Sequence, residues 1–230
     1  MHDILIEEKI LSRNDAIAAD NRKLFRDKNI FAINMVSSPG AGKTTLIEKM
    51  VPYLKERVQN FSVIEGDLAT DLDSQRLSKY GVPVRQINTG KACHLDAHNI
   101  SHVLPWLFEQ QDTSLLIIEN VGNMVCPAEY DLGEDMMATV MSSTEGDDKP
   151  LKYPAIFNAS DVLIINKTDL VPYTNFDIGR ARENALKINP NLVIFETSCK
   201  TGMGVREWSD YLSDSVKNRP VSGNRPLSEG

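Results

Sequence analysis

Short apolar runs alternate with stretches of helical spacing along this 230-residue chain, and no other feature of the sequence restricts its fold as strongly. The runs are rich in Val, Ile and Leu, and the first of them is FAINMV at 31–36. The others lie at 61–66, 82–87, 114–120, 161–167 and 191–197, and DMMATVMSST at 135–144 predicts a further strand. Helical spacing occurs at 43–57, 72–79, 93–109, 177–188 and 204–216. This alternation predicts an α/β protein with a mostly parallel sheet, flanked by helices on both faces in three layers.

The chain divides into three predicted parts. Residues 1–28 form a helical extension that packs on the domain, and Ala16, Ile17, Leu24 and Phe25 are its predicted buried residues. Residues 29–216 form one domain of ordinary size. The tail 217–230 is rich in Pro, Gly and Ser and is predicted to be disordered.

Composition excludes several classes of protein. A net charge of -7 argues against general nucleic-acid binding, because phosphate contacts need clustered Lys and Arg. The longest apolar runs are too short to span a bilayer, so no membrane partner is expected. Three cysteines do not make a disulfide framework, and the N-terminus has no basic stretch before an apolar segment. We therefore expect a cytoplasmic protein.

The segment SSPGAGKTT follows a predicted strand and opens a predicted helix. It matches G-x-x-x-x-G-K-S/T except that Ser37 replaces the first glycine. Such a loop directs backbone N–H groups at a phosphate, its lysine reaches the terminal phosphates, and its threonine binds Mg²⁺. The motif thus predicts a P-loop NTPase fold rather than a Gly-rich turn without a ligand. The predicted nucleotide-binding residues here are Gly40, Ala41, Gly42, Lys43, Thr44 and Thr45.

The tetrapeptide NKTD at 166–169 predicts the choice of base. The Asp169 carboxylate can accept hydrogen bonds from N1–H and the N2 amine of guanine, whereas adenine offers neither donor. Asn166 and Lys167 belong to the same motif, and the alternative is a polar turn. After the next strand, Ser198, Cys199 and Lys200 are predicted to pack on the base. Together with the phosphate loop, the motif predicts GTP.

Two acids stand at predicted strand ends, where an α/β sheet presents its ligands. Asp67 ends the second strand and Glu119 ends SLLIIEN. With Thr44 they are the predicted Mg²⁺ ligands, and with Lys43 the predicted catalytic residues. Each acid has the alternative of being a solvated strand-end residue.

Three of the four histidines fall at 94, 98 and 102, and Cys93 adjoins the first. On a helix, His94, His98 and His102 would share one face, so an exposed histidine stripe is the simple alternative. Cys126 lies just beyond the Glu119 strand, and thiolates with imidazole are typical transition-metal ligands. Cys93, His94 and Cys126 are one donor short of a tetrahedral set. A site shared across a two-fold axis would complete it.

The segments SSPGAGKTT, GDLATDLD, GKACHLDA, ENVGNMVCP and NKTDL occur in this order in the HypB family, and the resemblance covers roughly residues 10 to 216. The pair formed by GKACHLDA and ENVGNMVCP is more specific than a phosphate loop alone. The chain thus resembles the nickel-insertion GTPases of nickel–iron hydrogenase maturation, which are SIMIBI-class P-loop proteins. The resemblance implies a GTP- and Mg²⁺-dependent homodimer that passes Ni²⁺ to a hydrogenase large-subunit precursor, with a partner nickel metallochaperone.

The resemblance also implies roles for individual residues. It assigns metal ligation to Cys93, His94 and Cys126, with His98 as an additional candidate, and it leaves Ni²⁺ and Zn²⁺ both open. Some members have an N-terminal cysteine motif or a histidine-rich run, but before Cys93 this chain has no cysteine and only His2. A separate tight nickel site is therefore not expected. Lys152 is a candidate for contact with a neighbouring subunit's phosphates.

Three rival functions remain open from the sequence. The first is an accessory GTPase for another metallocentre, in urease or in a cobalamin enzyme. The second is a storage or regulatory protein that binds metal and nucleotide with little hydrolysis. The third is a small-molecule kinase, against which NKTD argues.

Overall fold

The computed structural model describes residues 2–58, 60–67, 76–90, 92–110 and 112–219, with the backbone alone for 2–7 and Asp67. Within these residues, seven strands form one sheet in the order β3-β2-β4-β1-β5-β6-β7, and every neighbouring pair is parallel. The strands are β1 (Phe31–Ser37), β2 (Phe61–Asp67), β3 (Val84–Asn88), β4 (Leu115–Gly122), β5 (Met136–Ser142), β6 (Val162–Asn166) and β7 (Val193–Glu196). The strands predicted from the apolar runs are thereby confirmed.

Helices cover both faces of the sheet. They are α1 (His2–Asp27), α2 (Lys43–Arg57), α3 (Ala97–Glu109), α4 (Lys149–Lys152), α5 (Pro154–Ala159), α6 (Ile178–Ile188) and α7 (Val205–Lys217). Short 3-10 turns lie at Cys126–Ala128 and Thr168–Tyr173. None of the helices within the described ranges combines the length and the apolar character needed to cross a bilayer.

The central strands bury side chains on both faces, which is why they read as unbroken apolar runs. In β4, Leu115 and Ile117 face the core under α2 and α7, where Trp208 is fully buried. Leu116 and Ile118 face the opposite core with Phe25 of α1. Because successive strand residues point to opposite faces, one strand contributes to two cores.

Helix α1 buries polar residues that apolar periodicity does not identify. Phe25 is buried as predicted, but Ala16 and Leu24 are exposed. The buried positions include Asn14 and Asn21 instead. The Asn14 side chain accepts a hydrogen bond from Ala97 N and donates to Asp131 O, and the Asn21 amide donates to the carbonyls of Ala97 and Leu132. These amides satisfy backbone groups at the start of α3 and in the loop before β5.

Two element boundaries in the structure differ from those predicted from the sequence. Helix α3 begins at Ala97 rather than at 93, because Asp96 and Asn99 form a capping box in which each side chain accepts a hydrogen bond from the other's backbone N–H. At the other end of the chain, Lys217 still belongs to α7. Arg219 forms a half-buried salt bridge with Asp135 at 2.8 Å. The remainder of the predicted tail, 220–230, lies outside the described residues.

Candidate functional site: a phosphate pocket beside a thiol–imidazole cluster

The phosphate loop lies between β1 and α2, where its backbone leaves the extended conformation. Gly40 and Gly42 have φ of +75° and +100°, a region that favours glycine. A Cβ on Gly42 would also lie 2.7 Å from the Asn166 amide nitrogen. Glycine at this position therefore gives the turn and brings the phosphate loop against the predicted base-binding motif.

Lys43, Thr44 and Glu119 converge at the start of α2. The buried Lys43 ammonium donates to Ser37 Oγ at 2.8 Å, and Thr44 Oγ1 donates to Glu119 Oε1 at 2.7 Å. Ser37 takes the place of the usual first glycine without strain, because it is the last residue of β1 and extended. Its hydroxyl holds the lysine at the mouth of the loop.

A cavity of about 490 Å³ opens above these residues. It is lined by the phosphate loop, the ends of β2 and β4, and Arg76. The hydroxyl and carboxylate of Thr44 and Glu119 are oxygen donors of the kind that Mg²⁺ prefers. Asp67 ends β2, as its position in the sequence predicts, but its side chain lies outside the described residues.

The predicted base-binding residues form one network behind the phosphate loop. Asn166 Nδ2 donates to Ala41 O at 2.9 Å, and Lys167 Nζ donates to Gly40 O at 2.6 Å. Ser198 Oγ donates to Asp169 Oδ1 at 2.6 Å, which joins the two predicted base loops. The structure thus brings the phosphate loop, NKTD and the loop after β7 together. Cys199 lies 3.5 Å from Asn166 Oδ1, burial raises the pKa of its thiol, and Lys200 is exposed.

Cys93, His94 and Cys126 form a compact cluster at the neighbouring part of the same sheet edge. One ligand atom from each lies within 4.8 Å of the others. The two sulfurs are 3.1 Å apart, and His94 Nδ1 is 3.6 Å from Cys93 Sγ. The His94 ring also packs on Tyr130 with a centroid separation of 4.0 Å. Two thiols and one imidazole are a donor set for Ni²⁺ or Zn²⁺.

The protonation of the cluster follows from its surroundings. Burial lowers the pKa of His94, although Asp96 and Glu129 oppose this shift. A lowered pKa favours the neutral imidazole, which is the form that binds metals. The hydrogen bond with Cys93, followed by burial, raises the pKa of the Cys126 thiol. Metal binding must therefore displace a proton from the pair of sulfurs.

The predicted histidine face is wrong in one respect. His94 lies in the bend before α3, so it does not share a helical face with His98 and His102. The latter two are one turn apart on α3 and exposed, with their Nε2 atoms 3.0 Å apart. His98 does not belong to the cluster of Cys93, His94 and Cys126.

The family is settled by comparison with known proteins. The family model described as "CobW/HypB/UreG, nucleotide-binding domain" matches residues 31–196. The hydrogenase maturation factor HypB of Rhizobium leguminosarum bv. viciae is 48% identical over 218 residues, which make up 95% of this chain and 72% of that protein. The chain belongs to the HypB family.

HypB from Helicobacter pylori is similar to this chain in both sequence and fold. The hydrogenase/urease maturation factor HypB of Helicobacter pylori (strain ATCC 700392 / 26695) is 41% identical, over 94% of this chain and 89% of that protein. The crystal structure of HypB from Helicobacter pylori in complex with nickel superposes with a TM-score of 0.86 at 38% identity. It covers 92% of this chain and 99% of that one. The predicted three-layer P-loop fold is confirmed.

In this HypB chain two asparagines connect the pocket with the thiol cluster, and sequence reasoning did not single them out. Asn120, at the pocket wall, accepts a hydrogen bond from Leu95 N at 3.0 Å, next to His94. Asn123 donates to Cys93 O at 3.3 Å and forms a β-bridge with Ser37. Between these asparagines, Gly122 packs closely on Pro39: a Cβ added to Gly122 would lie 2.9 Å from the Cα of Pro39. Both asparagines lie within the segment ENVGNMVCP. Membership of this segment is the one feature of the sequence that could have identified them.

Two basic side chains near the phosphate loop, Arg76 and Lys149, were also missed, and the contact of Lys152 with a neighbouring subunit's phosphates stays a prediction. Arg76 lines the cavity and donates to both Glu48 carboxylate oxygens, at 2.6 and 3.0 Å, and to Thr45 Oγ1 at 3.2 Å. Lys149 donates to Ser38 Oγ at 2.9 Å. The predicted Lys152 is exposed and pairs with Asp148 at 2.7 Å, a contact that raises the pKa of the lysine.

Proposed function

We propose that this chain hydrolyses GTP and uses the nucleotide cycle to take up and release Ni²⁺ during the maturation of a nickel–iron hydrogenase. The observation that supports this most directly is that one chain segment contributes residues to both sites. A phosphate pocket and a thiol–imidazole cluster share the segment 119–126, which begins at Glu119 and ends at Cys126. A change at one site therefore acts on residues that position the other.

Nickel is the cargo that the relatives favour. The similar proteins of Rhizobium leguminosarum and Helicobacter pylori are named as hydrogenase maturation factors, and the similar crystal structure contains nickel. The donor set of two sulfurs and one nitrogen fits Ni²⁺ and also Zn²⁺. The partners that follow from this role are a hydrogenase large-subunit precursor and a second nickel metallochaperone, in the cytoplasm.

The pocket residues support phosphate release from GTP. Lys43 would stabilise charge on the terminal phosphates, and the N-terminus of α2 would add its dipole. Thr44 and Glu119, with Asp67 as a further predicted ligand, would hold Mg²⁺. Bound Mg²⁺ would neutralise charge on the phosphates. We expect slow intrinsic turnover, with nucleotide exchange and metal transfer as the regulated steps.

Coupling of the two sites needs contacts that differ between GTP and GDP. Phosphates bound at the glycine loop act on Pro39, which packs against Gly122. The next residue, Asn123, holds the carbonyl of Cys93. We propose that loss of the terminal phosphate shifts this segment and thereby changes the geometry of the cluster.

The test measures phosphate release and metal affinity on the same preparations. Lys43→Ala should lower the rate of phosphate release from GTP by about 100-fold or more, because it removes a positive charge that stabilises the transition state. Measured without nucleotide, Cys93→Ala and Cys126→Ala should each weaken Ni²⁺ binding, whereas Cys199→Ala is the matched control and should leave it unchanged. Metal affinity should differ among GTP, GDP and no nucleotide. Identical affinities in all three states would refute the coupling, and hydrolysis by Lys43→Ala at the wild-type rate would refute the enzymatic role.

A second candidate recipient is urease. The similar Helicobacter pylori protein is named for both hydrogenase and urease maturation. The two candidates share the cycle and differ only in the recipient. Nickel transfer from the loaded chain to purified hydrogenase precursor or to apo-urease distinguishes them.

A further inference from the structure

We propose that Arg76 is a further nucleotide-binding residue, whose guanidinium contacts the phosphates that GDP and GTP have in common. The assignment rests on the proposed function, because it requires a nucleotide at the glycine loop. Arg76 lies in the connection between β2 and β3, and it lines the cavity of about 490 Å³ together with Lys43, Thr44 and Thr45. It stands outside the phosphate loop and the NKTD motif, so its role follows from its position in the fold.

The hydrogen bonds of Arg76 place its positive charge at the start of α2. Its Nη2 donates to Thr45 Oγ1 at 3.2 Å, and its Nη2 and Nε donate to the two carboxylate oxygens of Glu48 at 2.6 and 3.0 Å. Thr45 is the third residue of α2, within the turn whose backbone N–H groups have no acceptor inside the helix. Such a turn binds phosphates. The guanidinium therefore lies beside the place where the nucleotide's phosphates would bind.

The position of Thr45 indicates which phosphates Arg76 contacts. Lys43 would reach the terminal phosphates, and Thr44 faces Glu119, where Mg²⁺ would bind the same phosphates. Successive residues of a helix point in directions about 100° apart, so the side chain of Thr45 points away from that of Thr44. A charge at Thr45 is thus next to the phosphates nearer the nucleoside, which GDP and GTP both carry.

Glu48 is the residue that positions the guanidinium. Two parallel hydrogen bonds from an arginine to one carboxylate fix the plane of the guanidinium group. The Glu48 side chain is only 14% exposed, whereas that of Arg76 is 39% exposed and can be reached from the cavity. A cation that is already held in one orientation loses little conformational freedom when a phosphate binds to it. Without nucleotide, the charge of Glu48 also offsets repulsion between Arg76 and Lys43.

The test measures the affinity of the full chain for GDP and for a non-hydrolysable GTP analogue by titration calorimetry. Arg76→Ala should weaken both ligands by a similar factor of about 10 to 100, because it removes a hydrogen bond between two charged groups. Arg76→Lys keeps the charge without the two parallel hydrogen bonds, so its affinities should lie between those of Arg76→Ala and wild type. Arg206→Ala is the matched control and should change neither affinity. Arg206 pairs with Glu56 of the same helix at 3.2 Å, and neither residue lines the cavity.

Glu48→Ala distinguishes a phosphate contact from a purely structural role of the ion pair. It breaks the same pair but keeps the cation, so it should weaken nucleotide binding only a few-fold. Equal losses for Glu48→Ala and Arg76→Ala would overturn the proposal, because the pair would then act only by holding β2 and α2 together. A loss confined to the GTP analogue would also overturn it, because the charge would then act at the terminal phosphate.

Lys43→Ala, measured in the same titrations, separates this assignment from the proposed function. If Lys43→Ala leaves both affinities unchanged, the glycine loop does not bind phosphates, and the proposed function fails. If Lys43→Ala weakens binding and Arg76→Ala does not, the pocket binds nucleotide without Arg76, and only the present assignment fails.

Discussion

At the residue scale, Ser37 shows how hydrogen bonds within the phosphate loop stabilise it. Its buried hydroxyl accepts a hydrogen bond from Lys43 and donates to Ser38 O at 2.6 Å. Ser37→Ala removes both bonds and should lower the free energy of unfolding by about 1–3 kcal/mol without nucleotide. Bound GDP gives Lys43 a phosphate partner, so the loss should be smaller in its presence. Urea unfolding with and without GDP measures both values.

A buried serine far from the pocket provides the control for this experiment. Ser213 Oγ donates to Ser209 O at 2.7 Å within α7. Ser213→Ala should therefore cost the same with and without GDP. An equal loss for Ser37→Ala in the two conditions would contradict the role assigned to its hydroxyl.

Asp169 permits a prediction about base selection at the same scale. Its carboxylate is held by Ser198 Oγ at 2.6 Å, next to the Asn166–Ala41 contact that joins the base loop to the phosphate loop. Asp169→Asn offers one acceptor and one donor in place of two acceptors, so it should disfavour guanine and favour xanthine, which has an oxygen at position 2. We expect GTP affinity to fall by at least about tenfold and XTP affinity to rise, as measured by competition binding. If Asp169→Asn leaves the preference for GTP over XTP unchanged, Asp169 does not contact the base.

At the element scale, Glu134 links the loop before β5 to β1 and, through Asn34, to β4. It is fully buried, accepts from Leu132 N at 2.8 Å and receives the Asn34 amide of β1 at 3.4 Å. Asn34 in turn accepts from Asn120 of β4 at 3.2 Å. Burial, reinforced by the nearby Asp131 carboxylate, raises the pKa of Glu134 from 4.5 to about 7. The buried Glu134 is thus connected to the nucleotide pocket by hydrogen bonds through the side-chain amides of Asn34 and Asn120.

The raised pKa determines how stability depends on pH. Between pH 4.5 and about 7 the folded chain keeps a proton that the unfolded chain releases. Stability should therefore fall by up to about 3 kcal/mol as the pH rises through this window, and then level off. Glu134→Gln should flatten this part of the profile in urea unfolding. The exposed Glu109→Gln should preserve it, and an unchanged slope in Glu134→Gln would contradict the assignment.

The protonation of the neighbouring Asp131 has to be considered when the pH profile is interpreted, because its carboxylate contributes to the raised pKa of Glu134. Burial opposes ionisation of Asp131, but the hydrogen bonds from Arg22 and from Gly133 N, together with the charge of Arg22, outweigh burial and lower its pKa. Asp131 therefore remains charged across the window in which Glu134 titrates. The lowered pKa of His94 adds a slope of opposite sign below pH 6.5, so the contribution of Glu134 is the part of the profile that Glu134→Gln removes.

How far the sequence predicts each element depends on the kind of interaction that forms it. The strands follow from apolar content alone, and the approach of the phosphate loop to NKTD follows from the rule that parallel strands present their carboxyl ends at one edge. The start of α3 does not follow from apolar spacing, because it is decided by the capping box of Asp96 and Asn99. Part of the buried face of α1 was missed for a similar reason: Phe25 was predicted correctly, but Asn14 and Asn21 are buried for their hydrogen bonds. Polar contacts between distant segments have no periodic signature.

At the scale of the whole molecule, the thiol cluster suggests how two chains would associate. Three donors lie at an exposed site, whereas Ni²⁺ and Zn²⁺ usually take at least four. A second copy related by a two-fold axis would supply the missing donors from the same residues. Val125, beside Cys126, exposes 56% of its surface and would be covered in such a pairing. We therefore expect the cluster to lie at the contact between subunits.

This expectation is tested by the mass of the chain in solution. With a GTP analogue, Ni²⁺ should increase the fraction of dimer, as measured by light scattering. Cys93→Ala should remove the increase due to Ni²⁺ while preserving the effect of the GTP analogue. Val125→Asp should weaken the dimer because it places a charge in the contact without removing a ligand. If Ni²⁺ leaves the mass of the wild-type chain unchanged in the presence of the analogue, the cation is completed by water or by a different protein, and the cluster does not join two copies.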